Sequence, residues 1–521
     1  MCVCVCVCLA IVYCEMTHES NLKGLINFTQ HALTPIQKSF QHSHGDSYNQ
    51  TLQQENMMIL AIILVVVSLT LYSYWWFRLR KVSIYLLDYS CVKCSDDYKT
   101  NLESMLYFYQ QLGSISPPDM VFQLKVFLKS GIGEEAYVPR VNLQFGRRLA
   151  LQHSHDLAHT LVIGSVHQLI KKMCIDPRDI DVLVVNSGTF SPTPSLSSTI
   201  INHFKMREDV RSFELDGMGC SASLIAIDLA KDILQARHQV FGHRHPRLAL
   251  VASTEVINSF YEGSDRSMMV TNCLFRCAGN AVLLSNRASD RSLAKFKLLH
   301  LTRVNTAARN ESYNCVIMQE DEKGNLGAKL SPQLLKVASN ALTLNLTRLA
   351  PRVLPFIELA RVAFHAIKMW ISKTKALEPY VPNFKLVFNH FCIHPGGKAV
   401  IQGIGTSLKL NDDDIEPSLM ALHRFGNTSC SGIWYILSYM EAKKRLRKGD
   451  KVLQIGLGSG FKCTSAVWKV LHTIDEPNLL ENPWGNCIHR YPVHDQLSSL
   501  PHVQCCIDYV KNSKEYGGYK L

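Results

Sequence analysis

An α/β fold with largely buried sheets is what the sequence predicts, and three observations carry that expectation. From Val82 onward, short β-branched runs alternate with amphipathic helical stretches. Hydrophobic residues make up 47% of the 521 residues and charged residues 19%. That supplies a large core and excludes disorder or a coiled coil as a description of the whole. Finally, two glycine-led turns each open a helix that a strand follows. Gly217-Met218-Gly219-Cys220 precedes SASLIAIDLAKDILQAR and LALVAS, and Phe425-Gly426-Asn427 precedes TSCSGIWYILSYMEAKKRLR and KVLQIGLG. Cys220 to Leu248 is 28 residues and Asn427 to Lys451 is 24. Two related halves are expected, with their helix starts meeting at a pseudo-twofold interface. No shorter period recurs, which excludes a solenoid.

Taken in order, residues 1–14 (MCVCVCVCLAIVYC) are apolar but too short to span a bilayer in standard form, and they lack the basic start of a signal peptide. A polar loop follows to residue 56. Met57 to Phe77 is 21 residues without a charge, about 31 Å as a helix and so long enough to cross a bilayer. Tyr74, Trp75 and Trp76 stand where an interfacial aromatic belt belongs, and Arg78, Arg80 and Lys81 follow at once. That bias puts the C-terminal side in the cytosol. With a single crossing the N-terminus is lumenal, and Asn27 and Asn49 in Asn-X-Thr sites become glycosylation acceptors.

In the body, strands are expected over Ile180 to Val185, Leu248 to Ala252, Ala281 to Leu284, Phe296 to Val304, Phe384 to Phe388 and Lys451 to Ile455. Residues 333–382 read as helical and apolar, but Pro351, Pro355 and several basic residues make them a poor membrane span. A lid or a surface lying on a bilayer fits better. The expected division is an anchor region 1–81, a first half 82–375, a second half 376–475 and a tail 476–521. The net charge of +12 comes without basic runs. It suits an anionic small ligand or an anionic membrane face, not nucleic acid. The 18 cysteines lie mostly within apolar strand or helix patterns, as buried reduced thiols do.

Cys220 is the most informative residue. Two glycines precede it and a helix begins at once, so the helix dipole and free N–H groups favour its thiolate. This is a nucleophile-elbow arrangement, although a buried cysteine at a helix start has the same local sequence. His394 ends the run FKLVFNHFCIH and meets Pro395-Gly396-Gly397. It points into a cavity or packs structurally. His390 lies four residues before it, but the HExxH pattern of a metal site is absent. Asn427 is an N-cap, or the third member of a Cys-His-Asn set that holds a thiolate and an oxyanion. His423 lies four residues upstream of it. Gly456-Leu457-Gly458-Ser459-Gly460 follows a strand, but it is GxGxG and leads into the β-type run FKCTSAVWKV. Glycines lining a cleft fit it better than a dinucleotide fingerprint.

These residues and their neighbours resemble a known family. IYLLDYSC (84–91), GEEAYVP (133–139), GMGCSAS (217–223), HFCIHPGGKAV (390–400), HRFGNTSCSGIWY (423–435) and NPWGNCIHRYP (482–492) occur in order. They resemble the plant very-long-chain 3-ketoacyl-CoA synthases, the membrane-bound condensing enzymes of fatty-acid elongation. The resemblance implies a thiolase-like duplicated fold, layered α-β-α-β-α. It implies Cys220 as the acylated nucleophile, and His394 and Asn427 as the pair that polarises the thioester and stabilises an enolate. His390 and His423 match further active-site histidines. The implied substrates are a long-chain acyl-CoA and malonyl-CoA, with no metal or redox cofactor. A homodimer at the endoplasmic reticulum membrane is implied, its catalytic body in the cytosol, associated with a ketoacyl reductase, a dehydratase and an enoyl reductase. Asn305 stands where the family usually has a histidine. That departure leaves a second reading, a catalytically weak homologue that binds or regulates elongase partners.

Overall fold

The computed structural model describes residues 82–112, 116–138, 151–236, 247–256, 261–372, 380–493 and 500–512, together with Ser68. The apolar segment 1–14, the segment 57–77 apart from Ser68, and both glycosylation sites lie outside the described residues. Among the described residues no helix is long and apolar enough to cross a membrane.

Nine strands form one mixed sheet: β1 (Ile84–Cys91), β2 (Val182–Ser187), β3 (Arg211–Leu215), β4 (Leu248–Glu255), β5 (Ala278–Ser285), β6 (Phe296–Asn305), β7 (His390–Ile393), β8 (Lys451–Gly458) and β9 (Lys462–Val470). Their order is β7-β8-β9-β6-β1-β5-β4-β2-β3. Every residue of β1, β2, β4 and β5 is buried. Both faces are covered, which is why these strands read as continuous apolar runs. β2 lies parallel to β3 and β4, whereas β4/β5 and β5/β1 are antiparallel. The second half repeats this: β7 is parallel to β8, and β8/β9 and β9/β6 are antiparallel. The seam is the antiparallel pairing of Ile84–Leu86 with Leu298–Phe296. By topology β6 therefore opens the second half, so the division falls earlier than the expected 375/376.

The central layer comprises α2 (Ala222–Gln235) and α7 (Gly432–Ala442), and the remaining labelled helices are α1 (Leu151–Met173), α3 (Leu334–Val353), α4 (Phe356–Ser372), α5 (Lys398–Ser407) and α6 (Asp412–Phe425). α2 touches β2 and β4 of one half and β8 and β9 of the other, while α7 touches β1, β7 and β8. Every residue of α7 is buried. Trp434 Nε1 donates to Ser223 Oγ at 2.7 Å, tying the two helices together. α1 covers β1, β4 and β5 outside, and α3 covers β6 and β9. α2 and α7 thus pack on strands of both halves, while α1 and α3 each pack on strands of one half.

Two local expectations fail. Phe384 and Phe388 stack with centroids 6.3 Å apart. That spacing of four marks a helical turn, and Asn383 caps a 3-10 turn at Phe384–Leu386, so the strand begins only at His390. The segment after 476 is part of the body. Trp484 is fully buried against Phe425, Tyr439 and Tyr491, and Val503 and Ile507 enter a core cluster with Leu102 and Met105.

Candidate active site

A 3-10 turn precedes each central helix, Gly219–Ser221 before α2 and Ser429–Ser431 before α7. The two turns touch, so the pseudo-twofold repeat brings two helix N-termini to one place. Both turns begin left-handed, with φ +66° at Gly219 and +51° at Ser429. At Gly219 this conformation coincides with close approach: a Cβ there would lie 2.5 Å from Ser459 Oγ and 2.6 Å from the Ser459 backbone N. Ser429 has no such excuse for its conformation and carries the strain that non-glycine residues carry there. Its hydroxyl lies 3.4 Å from Cys220 Sγ, as a donor to it.

Cys220, His394 and Asn427 all line one cavity of about 870 Å³. Cys220 retains some exposure to it. Burial pushes the thiol up to about 12, opposed in part by the Ser429 hydroxyl and reinforced by Glu255. His394 is placed just beyond β7, its backbone N–H donating to Ile455 O at 2.9 Å. The ring is buried, which lowers it to about 4. Nδ1 has no hydrogen-bond partner among the described residues. At neutral pH the cavity therefore presents a protonated thiol and a neutral imidazole. Asn427 is fixed by its backbone, which bridges to Leu274 O and Arg276 N at 2.9 Å each. Its Oδ1 accepts from Ser429 N at 2.9 Å. That leaves the amide N–H₂ as the donor end, which donates to Gly396 O at 3.5 Å.

His390 and His423 are not in this lining. His390 Nε2 pairs with Asp450 Oδ2 at 2.9 Å at the start of β7. Four residues of strand separate it from His394 by about 13 Å. His423 lies within α6 with Nδ1 3.3 Å from Tyr491 Oη, and burial lowers it to about 4. The two histidines expected as additional active-site residues therefore lie outside the residues that line the cavity. Asn305 is also outside the lining; its exposed side chain accepts from Ala307 N at 3.0 Å. Gly458, Ser459 and Gly460 do line the cavity, at the turn of the β8–β9 hairpin. No helix follows, so there is no dinucleotide fingerprint.

Sequence reasoning missed Ser429 and the carboxylate behind it. Glu255 ends β4 and is 1% exposed. It accepts from Thr189 Oγ1 at 2.7 Å, and burial raises its pKa. The signal was a lone carboxylate in the apolar run LALVASTE. The cavity wall also escaped notice. One arm is apolar, built from the helix Pro117–Ser130 (Phe122, Val126), the helix Arg266–Leu274 (Val270) and the hairpin Val316–Glu320/Leu326–Leu330 (Ile317, Leu330). Lys125, Lys129, Lys398 and Lys462 also line it, and among the described residues no Asp or Glu does. Such a wall takes a long apolar chain attached to an anionic group.

The chain is similar to known proteins in sequence and in fold. A family described as FAE1/type III polyketide synthase-like protein matches residues 76–371. The chain belongs to this family. Residues 388–470 match the C-terminal part of 3-oxoacyl-[acyl-carrier-protein] synthase III. Among curated relatives from Arabidopsis thaliana, 3-ketoacyl-CoA synthase 17 is 44% identical over 442 residues, covering 84% of this chain and 88% of the relative. 3-Ketoacyl-CoA synthase 12 is 44% identical over 450 residues, covering 81% and 92%. The structure of a fungal type III polyketide synthase, ORAS, superposes with a TM-score of 0.59 at 16% identity, covering 74% of this chain and 99% of that one. CsyB complexed with CoA-SH gives 0.59 at 19% identity, covering 74% and 100%. These two similarities concern the fold, and they agree with the α/β thiolase-like architecture built above.

Proposed function

We propose that this member of the FAE1 family is a very-long-chain 3-ketoacyl-CoA synthase, which condenses a long-chain acyl-CoA with malonyl-CoA. The observation that carries the reading is the convergence of Cys220, His394 and Asn427 on one cavity with an apolar arm, four lysines and, among the described residues, no carboxylate. The curated 3-ketoacyl-CoA synthases at 40–44% identity support the same reaction.

In the first half-reaction His394 takes the Cys220 proton as sulfur attacks the acyl-CoA thioester. The tetrahedral intermediate collapses, the acyl group stays on sulfur, and CoA leaves with that proton. Malonyl-CoA then enters and loses CO₂. The C–C electron pair becomes an enolate, whose oxygen is held by the His394 ring N–H and the Asn427 amide N–H; each such donor is worth about 3–4 kcal/mol. The enolate carbon attacks the acyl-Cys220 carbonyl, the C–S bond breaks, and 3-ketoacyl-CoA two carbons longer is released. Cys220 regains a proton from solvent, so one proton is consumed for each CO₂ lost. His390 and His423 do not enter these steps. No metal or redox group is required by this electron bookkeeping. Localisation at the endoplasmic reticulum membrane through Met57 to Phe77, a homodimer and association with the other elongation enzymes belong to the same proposal.

The test is condensation by membranes from a yeast host expressing the chain, with labelled malonyl-CoA and a series of acyl-CoAs. Label in 3-ketoacyl products with Cys220 intact and none with Cys220→Ala supports the reading. Equal product from both, or none from either despite normal expression, overturns it. His394→Ala and Asn427→Ala are expected to lower turnover by about 10²–10³-fold.

A further inference from the structure

α4 is turned the wrong way round for a helix in water. Phe356, Ile357, Phe364 and Ile367 are 86%, 61%, 71% and 54% exposed, and Ala360 and Ala363 between them are exposed too. At 3.6 residues per turn these six fall within an arc of about 120°. The other side is held to the protein. Glu358, fully buried, accepts from Tyr380 Oη at 2.8 Å, Arg361 Nη1 at 2.5 Å and the Asn383 backbone N at 3.3 Å. Leu359 packs against the core cluster of the second half. The orientation of the apolar stripe is thus set by a buried carboxylate.

Charge identifies what covers the stripe. Lys368 and Arg361, seven residues apart and both exposed, border the arc on one edge, with Arg361 paired to Glu358 and Lys368 left to face the surroundings. Arg348 and Arg352, in the last turns of α3, are exposed as well. Glu358 is the sole acidic residue of α3 and α4, and it is sealed. An aromatic and aliphatic stripe with a basic rim and no exposed carboxylate complements a bilayer surface carrying anionic headgroups.

We propose that α4 lies in the plane of a membrane interface, with Phe356, Phe364 and Ile367 among the acyl chains and Lys368 at the headgroups. This contact is independent of the Met57 to Phe77 segment and of the catalytic reading.

Flotation with vesicles does not separate α4 from other membrane contacts, so the test reads its own depth. The full chain is reconstituted into vesicles of phosphatidylcholine, alone or mixed with phosphatidylserine, with the photoreactive p-benzoyl-phenylalanine in place of Phe364. A second preparation carries it in place of Leu480, which is 99% exposed. A thermal melt confirms that both are folded. Illumination is expected to give lipid adducts at position 364 and none above background at 480. Lys368→Gln is expected to cut the adduct yield about fivefold in the mixed vesicles and to leave it unchanged in phosphatidylcholine alone. Equal lipid adducts at the two positions overturn the proposal. So does cross-linking from 364 to a second copy or to another protein in place of lipid.

Discussion

Gly219→Ala, set beside Gly217→Ala, isolates how closely the nucleophile's turn is pressed against the second half. Both glycines have φ near +65° and both line the cavity. An alanine at either position bears the left-handed strain, about 1–2 kcal/mol. At Gly217 nothing lies within 4 Å of the added Cβ, so the cost ends there. At Gly219 the Cβ meets the Ser459 backbone N at 2.6 Å, and a strand end cannot rotate away as a side chain does. Relief requires the turn and the β8–β9 hairpin to part by most of an ångström. Overpacking of this kind costs a further ~1–3 kcal/mol. A displacement near 1 Å at the reacting sulfur costs about 10²-fold in rate. Urea denaturation and acyl-CoA condensation, run on both variants, give the comparison. Gly219→Ala is expected to lose about 1–3 kcal/mol more stability than Gly217→Ala, and about a hundredfold more activity. Two variants equal in stability and rate would refute the argument that the two halves touch here without slack.

Ser429→Gly should keep or raise stability by up to about 1 kcal/mol, since glycine tolerates φ +51°. Condensation should fall, because the hydroxyl that donates to Cys220 Sγ is gone; unchanged turnover would show that this hydrogen bond does not serve the reaction. Iodoacetamide labelling of Cys220, followed by peptide mass spectrometry, should climb about tenfold per pH unit from pH 7 to 10 without a plateau, because burial holds the thiol near 12. A plateau near pH 8.5 would contradict that environment. His394 and His423 are both lowered to about 4, so the unfolded chain binds protons that the folded one does not. Their stability contribution is complete above pH 6.5 and is lost as pH falls from 6.5 towards 4, up to about 3 kcal/mol for each. Glu255, raised by burial, works in the opposite direction, so the readout is the difference between the wild type and His423→Gln. Parallel pH dependences of the two urea midpoints would refute the shift. Asn305→His should change condensation within about twofold, as an exposed substitution outside the cavity does; a tenfold gain would place that side chain in the chemistry.

Much of this was legible because the periodicities are local. Five of the six expected strands form at or within a few residues of their places, and both glycine-led helix starts lie where the repeat put them. The failures have a common cause. Phe384 and Phe388 are apolar and β-like in composition, but their spacing of four is helical, and packing decides by spacing. His390 and His394 share a spacing that puts strand residues on one face. Face says nothing of distance along the strand, and β7 is long enough to take His390 out of the site. The division at 375/376 followed the end of the helical segment, whereas the hydrogen-bonded seam at Leu86 and Phe296 assigns β6 to the second half. The cavity's four lysines run from Lys125 to Lys462, and only the tertiary fold gathers charges so far apart in sequence.

The two 3-10 turns that meet between the halves also carry matching cysteines. Cys220-Ser221-Ala222 opens α2, and Cys430-Ser431-Gly432 opens α7. Cys430 is completely enclosed, its thiol donating to Thr254 O at 3.4 Å. The two sulfurs share a motif, a helix start and a neighbourhood, and differ in whether the wall before them is open. The pseudo-twofold repeat thus places two cysteines at equivalent helix starts, one open to the cavity and one enclosed.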